Sequence, residues 1–391
     1  MTSEAEKAPT SSKTPRRIAC LFGTRPEAIK LAPIIRRLRQ FPGEAQVRVI
    51  VTAQHRQMLD QVLKLFRIQP DRDLDVMRPG QDLFDVTSRM LLGLKDVLRE
   101  ERPELLIVQG DTTSVFASAL AGYYLQIPVA HVEAGLRTHR KFSPFPEEMN
   151  RKLATALADL HFAPTARARK HLLAEGVDPS SVFVSGNTVI DALLATVRPE
   201  YRFEQPELAS LDVSCRLLLV TAHRRESFGQ PFRDVCGALL ELVRRFPDVQ
   251  VLYPVHLNPN IRGPAHEILG KEPRIRLMEP LEYEPFVHLM ARATVLLTDS
   301  GGVQEEAPSL GKPVLVLRET TERPEAVEAG TVRLVGTDRR KIVEETSRLL
   351  SDPVAYEKMA RAVNPYGDGR AAERIVARIL GHPGATEFGG S

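Results

Sequence analysis

The chain alternates between apolar strand-like runs and helical patterns along almost its whole length, and this alternation constrains its fold most. The run at 17–22 (RIACLF) precedes a segment in which Leu31, Ile34, Ile35 and Leu38 recur at the spacing of one helix face. The same pairing of a run with a helical pattern returns many times. Strands that alternate with helices form parallel sheets covered by helices on both faces. We therefore predict an α/β fold.

A stretch rich in Pro and Glu divides this alternation into two arrays. The stretch lies at 195–210 (ATVRPEYRFEQPELAS), and a new apolar run follows at 216–221. A chain of 391 residues is long enough for two domains. We predict two Rossmann-like parallel-sheet domains that face a central cleft. The polar segment at 1–16 has no apolar core of a signal peptide, so we expect a flexible N-terminal tail.

Composition excludes several classes of partner. With a formal net charge of +3, 6% aromatic residues and no Trp, the chain lacks the concentrated basic surface typical of nucleic-acid binding. No stretch approaches the roughly 18 apolar residues of a membrane span. Cys20, Cys215 and Cys236 show no CxxC spacing and favour a reducing cytoplasm. DRDLD at 71–75 fails the calcium-loop template at its sixth and twelfth positions. We predict a cytoplasmic protein without metal, cofactor, nucleic-acid or membrane partner.

Cations and acids follow the predicted strands of the first array, where ligands of open α/β sheets bind. Arg25 and Lys30 follow the first strand, and the alternative is that both are solvated cations. Asp111 and Glu133 follow two successive strands, although Asp111 could serve only as a helix N-cap. The segment FPEEMNR adds Glu147 and a neighbouring acid. Crowded carboxylates shift one another's pKa values, which suits proton transfer.

Donors and cations follow the strands of the second array. His223 and His256 each follow a strand, with a purely structural role as the alternative. The segment TDSGGVQEEA places the backbone N–H groups of 300–302 at a helix N-terminus, which favours phosphate. Glu305 and Glu306 lie one turn further along, where a carboxylate suits ribose hydroxyls. This combination indicates a nucleoside diphosphate ligand.

The motifs FGTRPEAIKLAP, GDTTS, HVEAGLRT, FPEEMNR, HRRES, LTDSGGVQEEAPSLGKPVLVLRETTERPEAV and NPYGDG together resemble the non-hydrolysing UDP-N-acetylglucosamine 2-epimerases. The resemblance extends from about residue 17 to about residue 381. It implies a GT-B-like architecture with domains at 17–187 and 188–367. It also implies that a C-terminal helix at 368–382 returns to the first domain, and that the protein is a homodimer with a UDP-sugar substrate.

The resemblance also implies roles for individual residues. Its catalytic positions are matched by Asp111, Glu133, Glu147 and His223. Its substrate-binding positions are matched by Arg25, Lys30, Phe286, Ser300, Gly301, Gly302, Glu306 and Arg323. In this family the residue matched by Phe286 lies beside the uracil, the one matched by Glu306 binds the ribose, and those at 300–302 hold phosphate.

Some bacterial members of this family bind a second UDP-GlcNAc as an activator. The matching stretches here contain Gln54, Gln57, Gln81 and His256, which are therefore candidate allosteric residues. Leu281 stands where relatives often have a Gln that contacts the base, so a backbone contact would have to replace that side chain.

The expected function is reversible epimerisation at C2 of UDP-GlcNAc to UDP-ManNAc, which supplies ManNAc units for cell-surface polysaccharide. No carbonyl acidifies the C2 proton, so we expect elimination of UDP to a 2-acetamidoglucal, followed by re-addition. Which carboxylate serves which face of C2 stays open. The alternatives are a GT-B glycosyltransferase, a hydrolysing UDP-GlcNAc 2-epimerase and a sugar-nucleotide sensor without catalytic activity.

Overall fold

The computed structural model describes residues 14–52, 56–78, 80–383 and 386–389, without the side chains of Arg56 and Gln57. The chain folds into two compact units. The first unit contains the described residues up to Ala163, with Arg167–Phe183 and Ala372–Glu387. The second contains Pro164–Ala166, Val184–Ala371 and the described residues from Phe388. Most of the C-terminal helix therefore belongs to the first unit.

The first unit is built on a seven-stranded sheet. Its strands are β1 (Arg16–Phe22), β2 (Ala45–Val51), β3 (Arg72–Asp73), β4 (Leu105–Gln109), β5 (Val129–Val132), β6 (Leu160–Ala163) and β7 (Val182–Val184). Their order is β3-β2-β1-β4-β5-β6-β7, and β1 to β6 pair in parallel. Strand β1 begins at Arg16, which pairs with Ala45, so the sheet starts one residue inside the predicted tail. The strand order reverses between β1 and β4.

The second unit repeats this arrangement with six strands. These are β8 (Arg216–Thr221), β9 (Val249–Pro254), β10 (Ile275–Met278), β11 (Val295–Thr298), β12 (Val314–Val316) and β13 (Val332–Leu334). Their order is β10-β9-β8-β11-β12-β13, with parallel pairing throughout. Here the order reverses between β8 and β11. Ligands of open α/β sheets bind beyond the carboxyl ends of the strands at such a reversal, the topological switch point.

Helices connect the strands of both sheets. In chain order they are α1 (Arg25–Leu38), α2 (Arg56–Phe66), α3 (Leu83–Glu101), α4 (Thr113–Tyr124), α5 (Glu147–Leu157), α6 (Ala166–Ala174), α7 (Thr188–Thr196), α8 (Pro206–Ala209), α9 (Gln230–Arg245), α10 (Pro259–Leu269), α11 (Tyr283–Arg292), α12 (Gly301–Glu306), α13 (Pro324–Glu328), α14 (Arg339–Ser351), α15 (Pro353–Ala360) and α16 (Ala371–Leu380). None of the described helices is long and apolar enough to cross a membrane.

The cores explain why these residues form these elements. All five residues of β4 are buried, as expected for a strand covered by helices on both faces. The apolar face of α1 consists of Leu31, Ile34, Ile35 and Leu38, and each of these side chains is fully buried. The prediction of an α/β fold with two Rossmann-like parallel-sheet domains is confirmed.

Candidate active site

The candidate residues of the first unit follow three adjacent strands. The loop after β1 leads into α1, which carries Arg25 and Lys30, while Asp111 follows β4 and Glu133 follows β5. Since β1, β4 and β5 are neighbours in a parallel sheet, these residues lie along one edge, at the switch point. The sheet therefore brings together two cations and two acids that are far apart in the sequence.

Glu133 and Lys30 form an ion pair within this edge. The Lys30 Nζ lies 2.6 Å and 2.7 Å from the two carboxylate oxygens of Glu133. Only 16% of the Lys30 side chain and 6% of the Glu133 side chain are exposed, so Lys30 is not a solvated cation. Gln109 also donates a hydrogen bond to Glu133. Glu133 has a positive φ of 66°, a strained backbone conformation for a residue with a side chain.

Asp111 is held by the start of α5. Arg151 donates to its carboxylate over 2.9 Å and 2.7 Å, and Asn150 donates to its backbone carbonyl over 2.9 Å. The N-cap of α4 is Thr112 and not Asp111, so the capping role does not account for this carboxylate. The side chain of Asp111 is only partly buried, and its carboxylate is paired with Arg151.

Two adjacent acids at the start of α5 have different surroundings. Glu148 is fully buried and accepts hydrogen bonds from the backbone N–H groups of Thr138 and His139, both at 3.0 Å. Burial alone would raise the pKa of Glu148, but these N–H groups and the Arg151 guanidinium hold it below its usual value. Glu147 instead has a buried carboxylate oxygen, Oε2, without a hydrogen-bond partner among the described residues. Glu147 is therefore the acid of this pair that remains available to a ligand.

Glu27 is a residue of this edge that the sequence reasoning missed. It is 2% exposed and accepts hydrogen bonds from the backbone N–H groups of Gly23 and Thr24, at 2.6 Å and 2.9 Å. It also accepts a hydrogen bond from the hydroxyl of Thr112. Burial raises the pKa of Glu27 to about 7. The sequence signal was present, because Thr24-Arg25-Pro26-Glu27 has the spacing of a capping box.

At the N-terminus of α1, the guanidinium of Arg25 makes no hydrogen bond or ion pair with another described residue, and its side chain is partly exposed. A partly exposed cation beside the positive end of a helix is suited to an anionic ligand. This arrangement agrees with a substrate-binding role for Arg25.

The switch point of the second unit holds His223. Its Nδ1 lies 3.0 Å from Oδ1 of Asp299, a buried acid that directly follows β11. The other oxygen of Asp299 accepts hydrogen bonds from the backbone N–H groups of His223 and Arg224, at 2.6 Å and 2.7 Å. Burial alone would raise the pKa of Asp299, but the contacts with His223 and Arg224 hold it below its usual value. Sequence reasoning named Ser300, which follows Asp299, and His223, which contacts it, but not Asp299 itself.

The segment after Asp299 forms the predicted glycine-rich helix start. Ser300 is the N-cap of α12, which begins at Gly301. The backbone N–H of Ser300 donates to the hydroxyl of Thr298 over 3.0 Å. A side chain at Gly302 would meet the carboxylate of Glu306 at 3.4 Å, so the missing Cβ leaves room beside that acid. Glu306 accepts a hydrogen bond from the hydroxyl of Tyr283 over 2.9 Å.

Glu305 and Arg323 form an ion pair beside this helix start. Glu305 is 1% exposed and also accepts a hydrogen bond from Asn187 over 2.9 Å. The guanidinium of Arg323 lies 3.9 Å from the position that a Cβ of Gly301 would occupy. Glu305 thus holds a cation next to the glycines and is not an unpaired acid. Phe286 is partly buried and packs, like Leu281, against the core of the second unit.

Comparison with known proteins decides the family. The family model described as UDP-N-acetylglucosamine 2-epimerase matches residues 36–380. A probable UDP-N-acetylglucosamine 2-epimerase of Ralstonia solanacearum is 56% identical over 371 residues, which cover 93% of this chain and 98% of that protein. The chain belongs to the UDP-N-acetylglucosamine 2-epimerase family. It is an enzyme of that family.

Solved structures of UDP-N-acetylglucosamine 2-epimerases have the same fold. A putative member from Listeria monocytogenes has a TM-score of 0.89 and 49% identity, with 95% of this chain and 98% of that chain covered. The enzyme from Neisseria meningitidis, solved bound to UDP-GlcNAc, has a TM-score of 0.85 and 46% identity, with 94% and 100% covered. The match therefore includes both units of the chain.

The candidate allosteric residues of this epimerase are only partly described. Gln54 lies outside the described residues, as does the side chain of Gln57. Gln81 accepts a hydrogen bond from the backbone N–H of Arg78 and donates to the carbonyl of Val76 over 3.2 Å. The ring of His256 is exposed and stacks on that of His223 at a centroid distance of 5.6 Å. Within the described part of the chain, no cluster of three His, Cys, Asp or Glu residues could hold a metal ion.

Proposed function

We propose that the chain interconverts UDP-GlcNAc and UDP-ManNAc without hydrolysing the sugar nucleotide. The observation that carries this proposal is the set of acids along one edge of the first sheet. Asp111 and Glu133 are each paired with a cation, and Glu147 keeps a buried oxygen without a described partner. Such a set offers more than one group for proton transfer, which inversion at C2 requires.

Loss of UDP before C2 deprotonation is the route that the residue chemistry supports. The C2 proton of the sugar has no adjacent carbonyl, so direct abstraction would face a high barrier. Breaking the anomeric C1–O bond first places positive charge on the ring and makes the C2 proton acidic. Deprotonation then gives an enzyme-bound 2-acetamidoglucal and UDP. Reprotonation from the opposite face and re-addition of UDP at C1 complete the inversion.

We assign the departing UDP to residues of the second unit. The N–H groups of Gly301 and Gly302 at the start of α12 would stabilise the diphosphate, whereas the N–H of Ser300 already donates to Thr298. Arg323 lies beside these glycines and adds positive charge, while Glu306 would accept a hydrogen bond from the ribose. His223, with its Nδ1 directed at Asp299, would present Nε2 to the diphosphate.

We assign proton transfer to the acids of the first unit, Asp111, Glu133 and Glu147. The carboxylates of Glu133 and Asp111, which pair with Lys30 and Arg151, would stabilise a sugar ring that becomes positive, and the unpaired oxygen of Glu147 is suited to take or give a proton. The guanidinium of Arg25, which has no partner among the described residues, would contact an anionic part of the substrate.

A single NMR time course tests this function. UDP-GlcNAc alone is incubated with the enzyme in D₂O, and the products are identified by their anomeric signals. We expect UDP-ManNAc without any acceptor, and deuterium at C2 of both sugar nucleotides. Free ManNAc with UDP would instead identify a hydrolysing epimerase, and no turnover without an acceptor would favour a glycosyltransferase. A C2 position that stays fully protiated would exclude elimination through exchangeable carboxyl groups.

The homodimer, the cytoplasmic location and the supply of ManNAc units for cell-surface polysaccharide belong to the same proposal. The resemblance of the motifs supports the homodimer and the supply of ManNAc units. The three cysteines without CxxC spacing support the cytoplasmic location.

A further inference from the structure

Glu27 connects two loops that carry different candidate residues. One carboxylate oxygen accepts the backbone N–H groups of Gly23 and Thr24, in the loop after β1. The other oxygen accepts the hydroxyl of Thr112, in the loop after β4. The carboxylate is 2% exposed, so these groups replace the water that it has lost. A single buried side chain thus links the two loops at the switch point of the first sheet.

Helix capping explains only half of these contacts. In a capping box the acid at the third helical position reaches back to the N-cap backbone, as Glu27 does for α1. The box of α3 shows the ordinary case, in which the exposed Asp85 accepts the N–H of Asp82 and contacts no other loop within the described part of the chain. Thr112 lies 85 residues away from Glu27 in the sequence. The contact with Thr112 therefore serves a purpose beyond the start of α1.

The residues next to Glu27 and Thr112 in the sequence indicate what this contact positions. Arg25 and Lys30 lie on either side of Glu27 on α1, and Asp111 directly precedes Thr112. We propose that Glu27 is a positioning residue for the epimerisation, which holds the cations of α1 in register with the carboxylate of Asp111. This inference rests on the proposed function, because it takes Asp111 and these cations as the groups that act on the substrate. Glu27 itself is shielded by its three partners and acts through them.

The buried position of Glu27 makes its removal informative. Burial raises its pKa to about 7, so both its ionised and its protonated forms occur near neutral pH. The protonated form can donate to the Thr112 hydroxyl while its other oxygen still accepts the two N–H groups. A Gln side chain can make the same three contacts through its amide. The Gln variant is therefore the conservative replacement, and Ala removes every contact.

A double-mutant cycle on the full-length enzyme tests the proposal. Glu27→Ala, Thr112→Val and the double variant are compared with the wild type by kcat and KM for UDP-GlcNAc in the NMR assay. We expect Glu27→Ala to lower kcat roughly 10–100-fold and Thr112→Val to lower it about tenfold, because small misplacements of reacting groups have effects of this size. The double variant should be no worse than Glu27→Ala, since both changes remove the same link. Glu27→Gln should recover most of the lost kcat.

Asp85→Ala is the matched control, because it removes a capping acid that joins no second loop. We expect this variant to keep kcat within about twofold of the wild type. Thermal unfolding of every variant separates loss of the fold from loss of positioning. A Thr112→Val enzyme that is folded and has the wild-type kcat would overturn the proposal, as would a Glu27→Ala enzyme that loses only thermal stability.

The same spectra separate this proposal from the proposed function. The wild type alone reports whether UDP-ManNAc, or free ManNAc with UDP, is formed. The Glu27 proposal is judged by the ratio of the variant rate to the wild-type rate of whichever reaction takes place. A wild-type enzyme that hydrolyses UDP-GlcNAc would therefore contradict the proposed function and still give a decision on Glu27.

Discussion

The neighbouring residues Glu147 and Glu148 show how surroundings assign different tasks to identical side chains. Glu148 has no exposed surface, and it accepts two backbone N–H groups and pairs with Arg151 at 3.2 Å. These contacts fix the turn before α5. Glu147 has a buried oxygen with no described partner. A carboxylate that is already fully hydrogen-bonded stabilises the fold, and one that is not is suited to act on a ligand.

The two acids should therefore respond differently to the same substitution. We expect Glu147→Gln to lower kcat by about 10²–10⁴-fold, the usual contribution of a general acid or base. Its free energy of unfolding should stay within about 0.5 kcal/mol of the wild type. Glu148→Gln should instead reduce the free energy of unfolding by roughly 1–3 kcal/mol, because a buried charged acceptor loses part of its hydrogen bonding. Denaturant unfolding and NMR kinetics of both variants measure these effects. Wild-type turnover by Glu147→Gln would remove this residue from the mechanism.

Sequence reasoning located Lys30, Asp111 and Glu133 because each directly follows a strand or lies on the helix that does. The rule works for these residues because parallel strands deliver their carboxyl ends to one edge. Glu27 and Asp299 also satisfy this rule, but position alone does not show their importance, which depends on the distant group that each one contacts. The partner of Glu27 is 85 residues away, and a single sequence does not specify such a pairing.

The two switch points share one construction. In each sheet, two consecutive backbone N–H groups after the first strand are bound by a buried carboxylate. Glu27 binds those of Gly23 and Thr24 after β1, and Asp299 binds those of His223 and Arg224 after β8. Each carboxylate also connects this loop to the strand on the other side of the switch point. Glu27 does so by its hydrogen bond with Thr112, which follows β4, and Asp299 does so because it directly follows β11. Both loops are therefore fixed before any substrate binds, which lowers the cost of ordering them.

The loop after β1 also depends on the absence of a side chain at Gly23. A Cβ at Gly23 would overlap the hydroxyls of Thr52 and Ser114, which are hydrogen-bonded to each other over 3.1 Å and fully buried. We expect Gly23→Ala to reduce the free energy of unfolding by roughly 1–3 kcal/mol, the usual effect of overpacking. Because the displaced loop leads to Arg25, kcat should fall as well.

Gly43→Ala provides the control for this prediction. Gly43 lies in the exposed turn before β2, and a Cβ there would meet no atom within 4 Å. Thermal unfolding should leave the midpoint of Gly43→Ala close to that of the wild type and lower that of Gly23→Ala. Equal midpoints for the two variants would show that Thr52 and Ser114 can move aside without loss.

The strands that the sequence pattern did not predict are β3, β6, β7 and β13. Strands β3, β7 and β13 have two or three residues each, and all three lie at the edge of a sheet. A segment of this length carries no measurable periodicity, and its conformation is decided by the longer strand that it pairs with. The apolar runs of β1, β4, β8 and β9 are longer and buried, so their sequences alone predict them. Pairing with neighbouring strands thus decides the short edge strands and the interior strand β6, whereas local sequence pattern predicts the longer buried strands.

At the scale of the whole molecule, the two units differ in the chemistry of their switch points. The first unit concentrates acids paired with cations, namely Asp111 with Arg151 and Glu133 with Lys30. The second offers a glycine-rich helix start and an acid that lies one turn further along. The first set is suited to proton transfer and the second to a nucleoside diphosphate. We therefore expect the segment TDSGGVQEEA to hold the leaving group and its two acids to have separate tasks.

This division predicts that binding of UDP and turnover can be impaired separately. We expect Asp111→Asn to lower kcat by about 10²–10⁴-fold, because a group for proton transfer is lost. Its dissociation constant for UDP should stay within about twofold of the wild type. Glu306→Gln should weaken UDP binding by about tenfold or more, since a hydrogen bond to a charged group contributes about 1.5–3 kcal/mol.

Isothermal titration with UDP and NMR kinetics with UDP-GlcNAc measure the two effects on the same preparations. Glu241→Gln is the matched control for the second unit, because Glu241 pairs only with Arg245 and Arg339 on the surface among the described residues. It should bind UDP as the wild type does. If Asp111→Asn weakens UDP binding as much as Glu306→Gln does, then the acids of the first unit also hold the nucleotide, and leaving-group binding and proton transfer are not divided between the two units.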